Sequence, residues 1–260
     1  MKKKLSMNLV VQTSLVVFMA LSANSFAQRG GPAGPPPSPQ EAAPFDMTGY
    51  WVSVVTEDWR WRMLDAEPGD VRNGIPLNQA GIELAEAWRP DEGELQSCLT
   101  FGGAGIMRYP GRLYISWEDE ETLRMDFSAG EQTRFLHFNS DDSASVAALS
   151  LQGYTTANWH KERQTRGLGF GPPVTSFEGG NLRARTMNLL PAFLQRNGIP
   201  YSDQTTILDY YKVINAPNGD RWLIVTSVVS DPVYLQQDYI TSTNFKYEEN
   251  GDNWDPITCR

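Results

Sequence analysis

The sequence predicts an all-β protein, an antiparallel meander of about nine strands closing as a barrel, with one or two short helices. Two observations lead there. Apolar and polar residues alternate with period two along most of the chain, in short runs rich in β-branched and aromatic residues and bounded by turn signals. Helical periodicity is confined to two places and never alternates regularly with strands, so the parallel βαβ order of a doubly wound sheet is not expected.

Taken in chain order, Lys2, Lys3 and Lys4 precede a largely apolar run from Leu9 to Leu21, and Ser25 and Ala27 provide the small residues that a signal peptidase reads. Residues 1–27 are therefore expected to be a signal peptide cleaved after Ala27. The run is too short for a membrane span, which needs about 20 apolar residues, so no span is expected once it is removed. Residues 28–44, with Gly30, Gly31, Pro32, Gly34, Pro35, Pro36, Pro37 and Pro39, have almost nothing to bury and read as a disordered or polyproline-like tether. Residues 45–260 are expected to form one β domain.

From Tyr50 to Met63 the chain reads YWVSVVTEDWRWRM without a glycine or proline, which predicts one long strand, straight or bulged. An unbroken alternation puts Trp51, Val55, Glu57, Trp59, Trp61 and Met63 on one face and Val54, Asp58, Arg60 and Arg62 on the other. Further strands are predicted over 112–117, 122–127, 132–138, 149–159, 181–188, 205–214, 221–229 and 239–247. Connections at 119–121, 129–131 and 217–220 have hairpin length. One helix is predicted to start at an Asn78 cap and run to about Trp88, closed by Arg89-Pro90. A second is predicted over 191–196, between Pro191 and Gly198.

Cys98 and Cys259 are the only cysteines, and in an oxidising compartment an isolated pair is most simply a disulfide that clips the C-terminus to the body. The chain carries a net charge of −9, and loss of the three signal lysines makes it −12. An acidic chain without a basic stripe is not expected to bind nucleic acid.

Phe45-Asp46-Met47-Thr48-Gly49-Tyr50-Trp51-Val52-Ser53 resembles the opening of many secreted bacterial proteins whose first strand starts with a Gly-aromatic pair. Its Gly49-Tyr50-Trp51 is similar to the Gly-x-Trp start of lipocalin-like (calycin) barrels. The resemblance implies a barrel with a ligand cavity, in which the tryptophan closes the floor against an arginine near the last strand. Spacing alone does not pick out that arginine. The segments 150–154, 179–188 and 230–234 resemble a widespread group of uncharacterised secreted β proteins, a likeness that brings no activity with it.

The chemistry-bearing residues are few. His137 and His160 belong to no HxH or HExxH pattern, and neither a metal site nor a cofactor is expected. The absence of Gly-x-Ser-x-Gly leaves an α/β-hydrolase unsupported. The glycines at 102, 103 and 105 read as a close-packed turn. Glu57-Asp58-Trp59-Arg60-Trp61-Arg62 is the most unusual segment. Trp59 and Trp61 can stack on an aromatic or sugar-like ligand with Glu57 as anchor or general acid, or they can fill the core while Arg60 and Arg62 pair with Asp58 outside.

Glu57, Asp58 and His160 are thus the candidate catalytic residues. Trp59, Trp61, Arg60, Arg62, Tyr114 and Tyr154 are the candidate ligand contacts, with Tyr210 and Tyr211 as further hydroxyl donors. Three functions are expected to compete: a secreted or periplasmic protein holding a small apolar or aromatic ligand in the barrel, a cofactor-free lyase, isomerase or hydrolase using the same cavity, and an envelope accessory protein. Oligomeric state is not read from the sequence.

Overall fold

A computed structural model describes residues 35–64, 67–72, 74–89, 98–138, 147–160 and 181–259. The expected signal peptide with its cleavage point, residues 28–34 of the arm, Pro90 and Gly179 lie outside the described residues. Residues Pro37–Arg260 form the compact unit that holds every element below.

Along the chain come β1 (Gly49–Val54), α1 (Trp59–Arg62), α2 (Gln79–Ala87), a 3-10 turn (Ile106–Arg108), β2 (Arg112–Trp117), β3 (Thr122–Phe127), β4 (Gln132–His137), β5 (Tyr154–His160), β6 (Asn181–Met187), β7 (Ala192–Gln195), β8 (Ile199–Tyr201), β9 (Thr206–Asn215), β10 (Arg221–Ser230) and β11 (Tyr239–Glu248). Among the described residues nine strands close into a barrel in the order β1-β2-β3-β4-β5-β6-β9-β10-β11, with β11 returning to β1. A ring with an odd number of strands cannot alternate direction all the way round. The exception here is β4 against β5, paired parallel at Leu136–Thr155 and His137–Thr156; the other ring pairs are antiparallel.

The barrel agrees with the predicted class and is compatible with a calycin-like barrel. Eight of the predicted runs become ring strands to within a few residues, because each hairpin turn is chemically specified. At the β3–β4 turn Gly130 and Glu131 both take positive φ (67° and 50°), and at the β9–β10 turn Gly219 does (89°), as short hairpins require. The predicted Asn78 cap is present as well: its side chain accepts from the Gly81 N–H at 3.0 Å, one of the orphan donors at the start of α2.

Two local predictions are corrected. The run from Tyr50 to Met63 is not one strand: β1 stops at Val54, Asp58 turns left-handed (φ 52°, ψ 29°), and Trp59–Arg62 make one turn of helix. The period-two face assignment therefore holds only through Val54. Residues 191–196 are not helical: β7 pairs with β8 as a hairpin with an irregularity between Phe193 and Gln195, turning at Gly198 (φ 89°). Ala192, Phe193 and Leu194 are all buried, a continuous burial that a helical stripe does not produce.

The barrel interior is filled. Trp51, Leu113, Ile115, Leu123, Met125, Leu136, Leu182, Ala184, Tyr211, Leu223, Val225 and Phe245 interdigitate there, each large apolar side chain contributing about 1.5–3 kcal/mol by burial. The Trp51 indole N–H donates to the Met47 carbonyl (2.9 Å), and the Arg221 guanidinium lies over the rings of Trp51 and Tyr247 at 5.5 and 4.4 Å. Arg221 opens β10, the penultimate strand of the ring. A second apolar cluster, with Leu77, Ala85, Leu189, Leu194, Ile199, Tyr201, Val229 and Leu235, packs α2 and the β7–β8 hairpin against one rim.

Among these apolar side chains sits a buried ion pair, Arg134 Nη1 to Asp209 Oδ2 at 3.3 Å. Ser227 Oγ and the Tyr211 hydroxyl donate to Asp209 at 2.5 and 3.2 Å. Arg134 Nη2 donates to the Gly103 carbonyl (2.6 Å) and to Gln152 Oε1 (3.3 Å). Burial pushes the Asp209 carboxyl upward, opposed by Arg134, Ser227 and Tyr211. Cys98 and Cys259 form the predicted disulfide, and the Ile257 N–H donates to the Ser128 carbonyl (2.8 Å), laying the C-terminal tail along the barrel wall. The described residues contain no helix long and apolar enough to cross a membrane.

Removing one partner of a buried pair leaves an uncompensated charge, so Arg134→Met should destabilise the fold by about 3–5 kcal/mol, whereas the double variant Arg134→Met/Asp209→Leu should recover most of that loss. Urea denaturation of the two variants measures both; a double variant no more stable than Arg134→Met would mean that the uncompensated Asp209 charge is not what destabilises the single variant.

Candidate functional site

The strand register sorts the ring into two rims. Val54, Arg112, Phe127, Gln132, Met187, Thr206, Ser230 and Tyr239 end or begin strands at the rim that carries α1, and Gly49, Trp117, Thr122, His160, Asn181, Arg221 and Glu248 do so at the opposite rim. Glu57 and Asp58 follow Val54 at the first rim, and His160 belongs to the second. The structure therefore does not bring the three candidate catalytic residues together.

It does assemble the unusual segment into a site with residues distant in sequence. The left-handed backbone at Asp58 lets its carbonyl accept from the N–H groups of Trp61 (2.9 Å) and Arg62 (3.0 Å), closing α1 in a single turn. Helical geometry then separates the two arginines that a strand would have placed together. Arg60 stays exposed with its guanidinium 5.5 Å from the Trp61 ring centroid, and Arg62 turns inward, 4% exposed. Trp59 is 61% exposed, so it neither fills the core nor lies inside the barrel.

Arg62 meets the 3-10 turn. Its Nε donates to the Arg108 carbonyl at 2.9 Å, and Arg108 is itself 7% exposed. Gly105, at the start of that turn, lies so close to the carbonyls of Phe193 and Leu194 that a side chain would collide with β7. This close approach brings Arg108 and Tyr109 beside Arg196, whose guanidinium lies 5.1 Å from the Tyr109 ring and donates to its hydroxyl at 3.4 Å.

Two carboxylates approach from the solvent side. Glu57 Oε1 is 3.0 Å from Arg62 Nη1 and 3.5 Å from Arg108 Nη1, and Asp58 Oδ2 is 2.5 Å from Arg108 Nη2, with the acids 40% and 42% exposed. Thr56 Oγ1 donates to Glu57 Oε2 at 2.6 Å. Burial, and then the charge of Arg108, lower the Arg62 pKa from its ordinary value, while Glu57 and Asp58 raise it. Burial also pushes the neighbouring Tyr239 phenol up. Arg62 Nη2 is buried with no hydrogen-bond partner.

Arg62, Arg108, Arg196, Trp61, Tyr109 and Gln195 line a cleft of about 30 Å³ here. Guanidinium groups donate only and stay protonated, so this arrangement binds and orients an acceptor; it does not shuttle protons.

The remaining predicted residues lie elsewhere. Tyr114 is on the outer wall, stacked on Tyr50 with centroids 4.4 Å apart, in a cleft of about 300 Å³ that Asp126, Gln132, Thr133 and Trp254 also line. Tyr154 stacks on His137 at 4.8 Å, and burial lowers the His137 pKa. Tyr210 lies under Arg183, and Tyr211 is in the filled interior. Arg108, Tyr109 and Arg196 were not legible as site residues; the signal for the first was an arginine inside the apolar run Gly105-Ile106-Met107-Arg108.

A left-handed non-glycine residue carries about 1–2 kcal/mol of strain. Asp58→Gly and Asp58→Ala both lose the ion pair to Arg108, but the glycine variant should be the more stable by about 1 kcal/mol in urea melts. Equal stabilities would mean that the turn at Asp58 has no strained backbone. No protein-family model, curated protein or solved structure matches this chain, so the reading of the site rests on its own geometry.

Proposed function

We propose that this chain is a binding protein of an extracytoplasmic compartment, secreted or periplasmic, that takes a small molecule with an aromatic or apolar body. The ligand sits at the cleft beside α1, on the rim of the barrel. The observation that carries this reading is the pairing of a filled barrel interior with a rim cleft in which Trp61 and Tyr109 flank buried hydrogen-bond donors. Small-molecule sites combine aromatic walls with a few placed polar groups. A cleft of about 30 Å³ has room for one small polar group, so the rest of the ligand lies outside it, against the exposed side of α1.

The compartment is supported by the Lys-rich, apolar, small-residue order of the first 27 residues and by the Cys98–Cys259 disulfide. Acid–base catalysis by Glu57, Asp58 and His160 has no support in the register, which puts the histidine at the other rim.

A thermal-shift screen of small aromatic compounds against the secreted, disulfide-bonded protein tests the reading. Binders are expected, with Kd weakened about tenfold or more, roughly 1.4 kcal/mol, by Trp61→Ala and unchanged by Tyr114→Ala. Affinity that follows Tyr114 instead would move the site to the outer wall.

A further inference from the structure

We infer that the group anchored in this cleft is an oxyanion, a carboxylate or a phosphate monoester, and that Glu57 occupies its place in the unliganded protein. The inference rests on the binding reading above and adds the chemical class of the ligand's head and the means by which the site is held ready.

Two arginines are seldom buried side by side, because desolvation and mutual repulsion both oppose it. Arg62 and Arg108 are nonetheless 4% and 7% exposed, with the Arg62 Nε on the Arg108 carbonyl fixing one guanidinium against the other's backbone. Their charge is compensated from outside. A single oxygen of Glu57 lies within reach of both guanidiniums, 3.0 Å from Arg62 and 3.5 Å from Arg108, although the Glu57 side chain remains 40% exposed. That is the pose of a carboxylate entering from solvent. Glu57 belongs to the loop between β1 and α1 and is held on its other oxygen by Thr56, a near neighbour on the same loop. It can swing out without disturbing the barrel.

Glu57 does not saturate the donors. Arg62 Nη2 is buried and unpartnered, and Arg62 lines the cleft. An oxyanion with two or more acceptor oxygens meets the orphaned donor as well as the two guanidiniums that share Glu57 Oε1, which that one glutamate oxygen does not. The cleft's size suits such a head group and excludes a ring. Discrimination against a neutral isostere follows, because the isostere displaces Glu57 and leaves buried guanidiniums without a counter-ion.

The test is chemical rescue. In Glu57→Ala the place is vacated, the melting temperature falls, and formate, acetate or phosphate is expected to raise it by about 3–6 °C at tenfold excess over Kd, relative to chloride at matched ionic strength. Formate and acetate acting alone assign a carboxylate head, and phosphate acting alone assigns a phosphate monoester. Adding Arg62→Met should abolish the rescue. Should Glu57→Ala fail to fold, Glu57→Gln keeps the shape without the charge, and it should bind benzoate about tenfold more tightly than the unaltered protein, measured by calorimetry. No rescue in Glu57→Ala, or rescue that survives Arg62→Met, overturns the proposal. For Glu57→Gln the overturning result is unchanged benzoate affinity. Benzamide serves as the neutral comparison: if it binds with Trp61 dependence and benzoate does not, the small-molecule reading stands and the oxyanion falls, and if neither binds, both fall.

Discussion

Pairing of β1 with both β2 and β11 is the constraint on which the rest of the molecule depends. It closes the ring and fixes which side chains point inward, because register and facing are coupled in a closed sheet. The short β1 pairs with both neighbours over Tyr50–Val52 and with β11 alone as far as Val54, after which the chain leaves the sheet. The exit is followed by the left-handed Asp58 and the single turn of α1, which turns Arg62 toward Arg108. The site is a by-product of closing the barrel.

Within that frame the interior and the rim have divided their roles. The inward positions are mostly large and apolar, and Arg134, Asp209 and Ser227 among them are held by one another, with Arg134 Nε left without a hydrogen bond. At the rim the counter-ions of the buried arginines are half exposed. Specificity in such an arrangement comes from donors fixed in advance by backbone contacts, here the Arg62 bond to the Arg108 carbonyl and the close approach at Gly105.

Much of the fold was legible because period-two alternation and turn residues agree locally: Gly130-Glu131 and Gly219 specify their hairpins, and Asn78 its helix start. Two segments misled for physical reasons. Trp59 to Arg62 has strand-like composition, yet the ladder with β2 has already ended at Val52, and one helical turn needs no periodicity to form. Ala192 to Leu194 follows a proline well suited to a first helical turn, but it is buried on all sides and takes its order from β8. The disulfide followed from cysteine count. The contact of Arg221 with Trp51 was hidden because the two lie 170 positions apart in sequence and cation–π contacts have no spacing rule. The arginine site was half legible: the residues of α1 were conspicuous, but Arg108 and Arg196 reach them only through the docking of the 3-10 turn on β7.

The parallel contact between β4 and β5 is also the thinnest seam of the ring. Only Leu136–Thr155 and His137–Thr156 pair across it, whereas each other ring contact has at least four such pairs. Parallel pairing is slightly less stable per residue than antiparallel pairing, so the closure of the barrel leans there on the packing of the interior more than on the ladder.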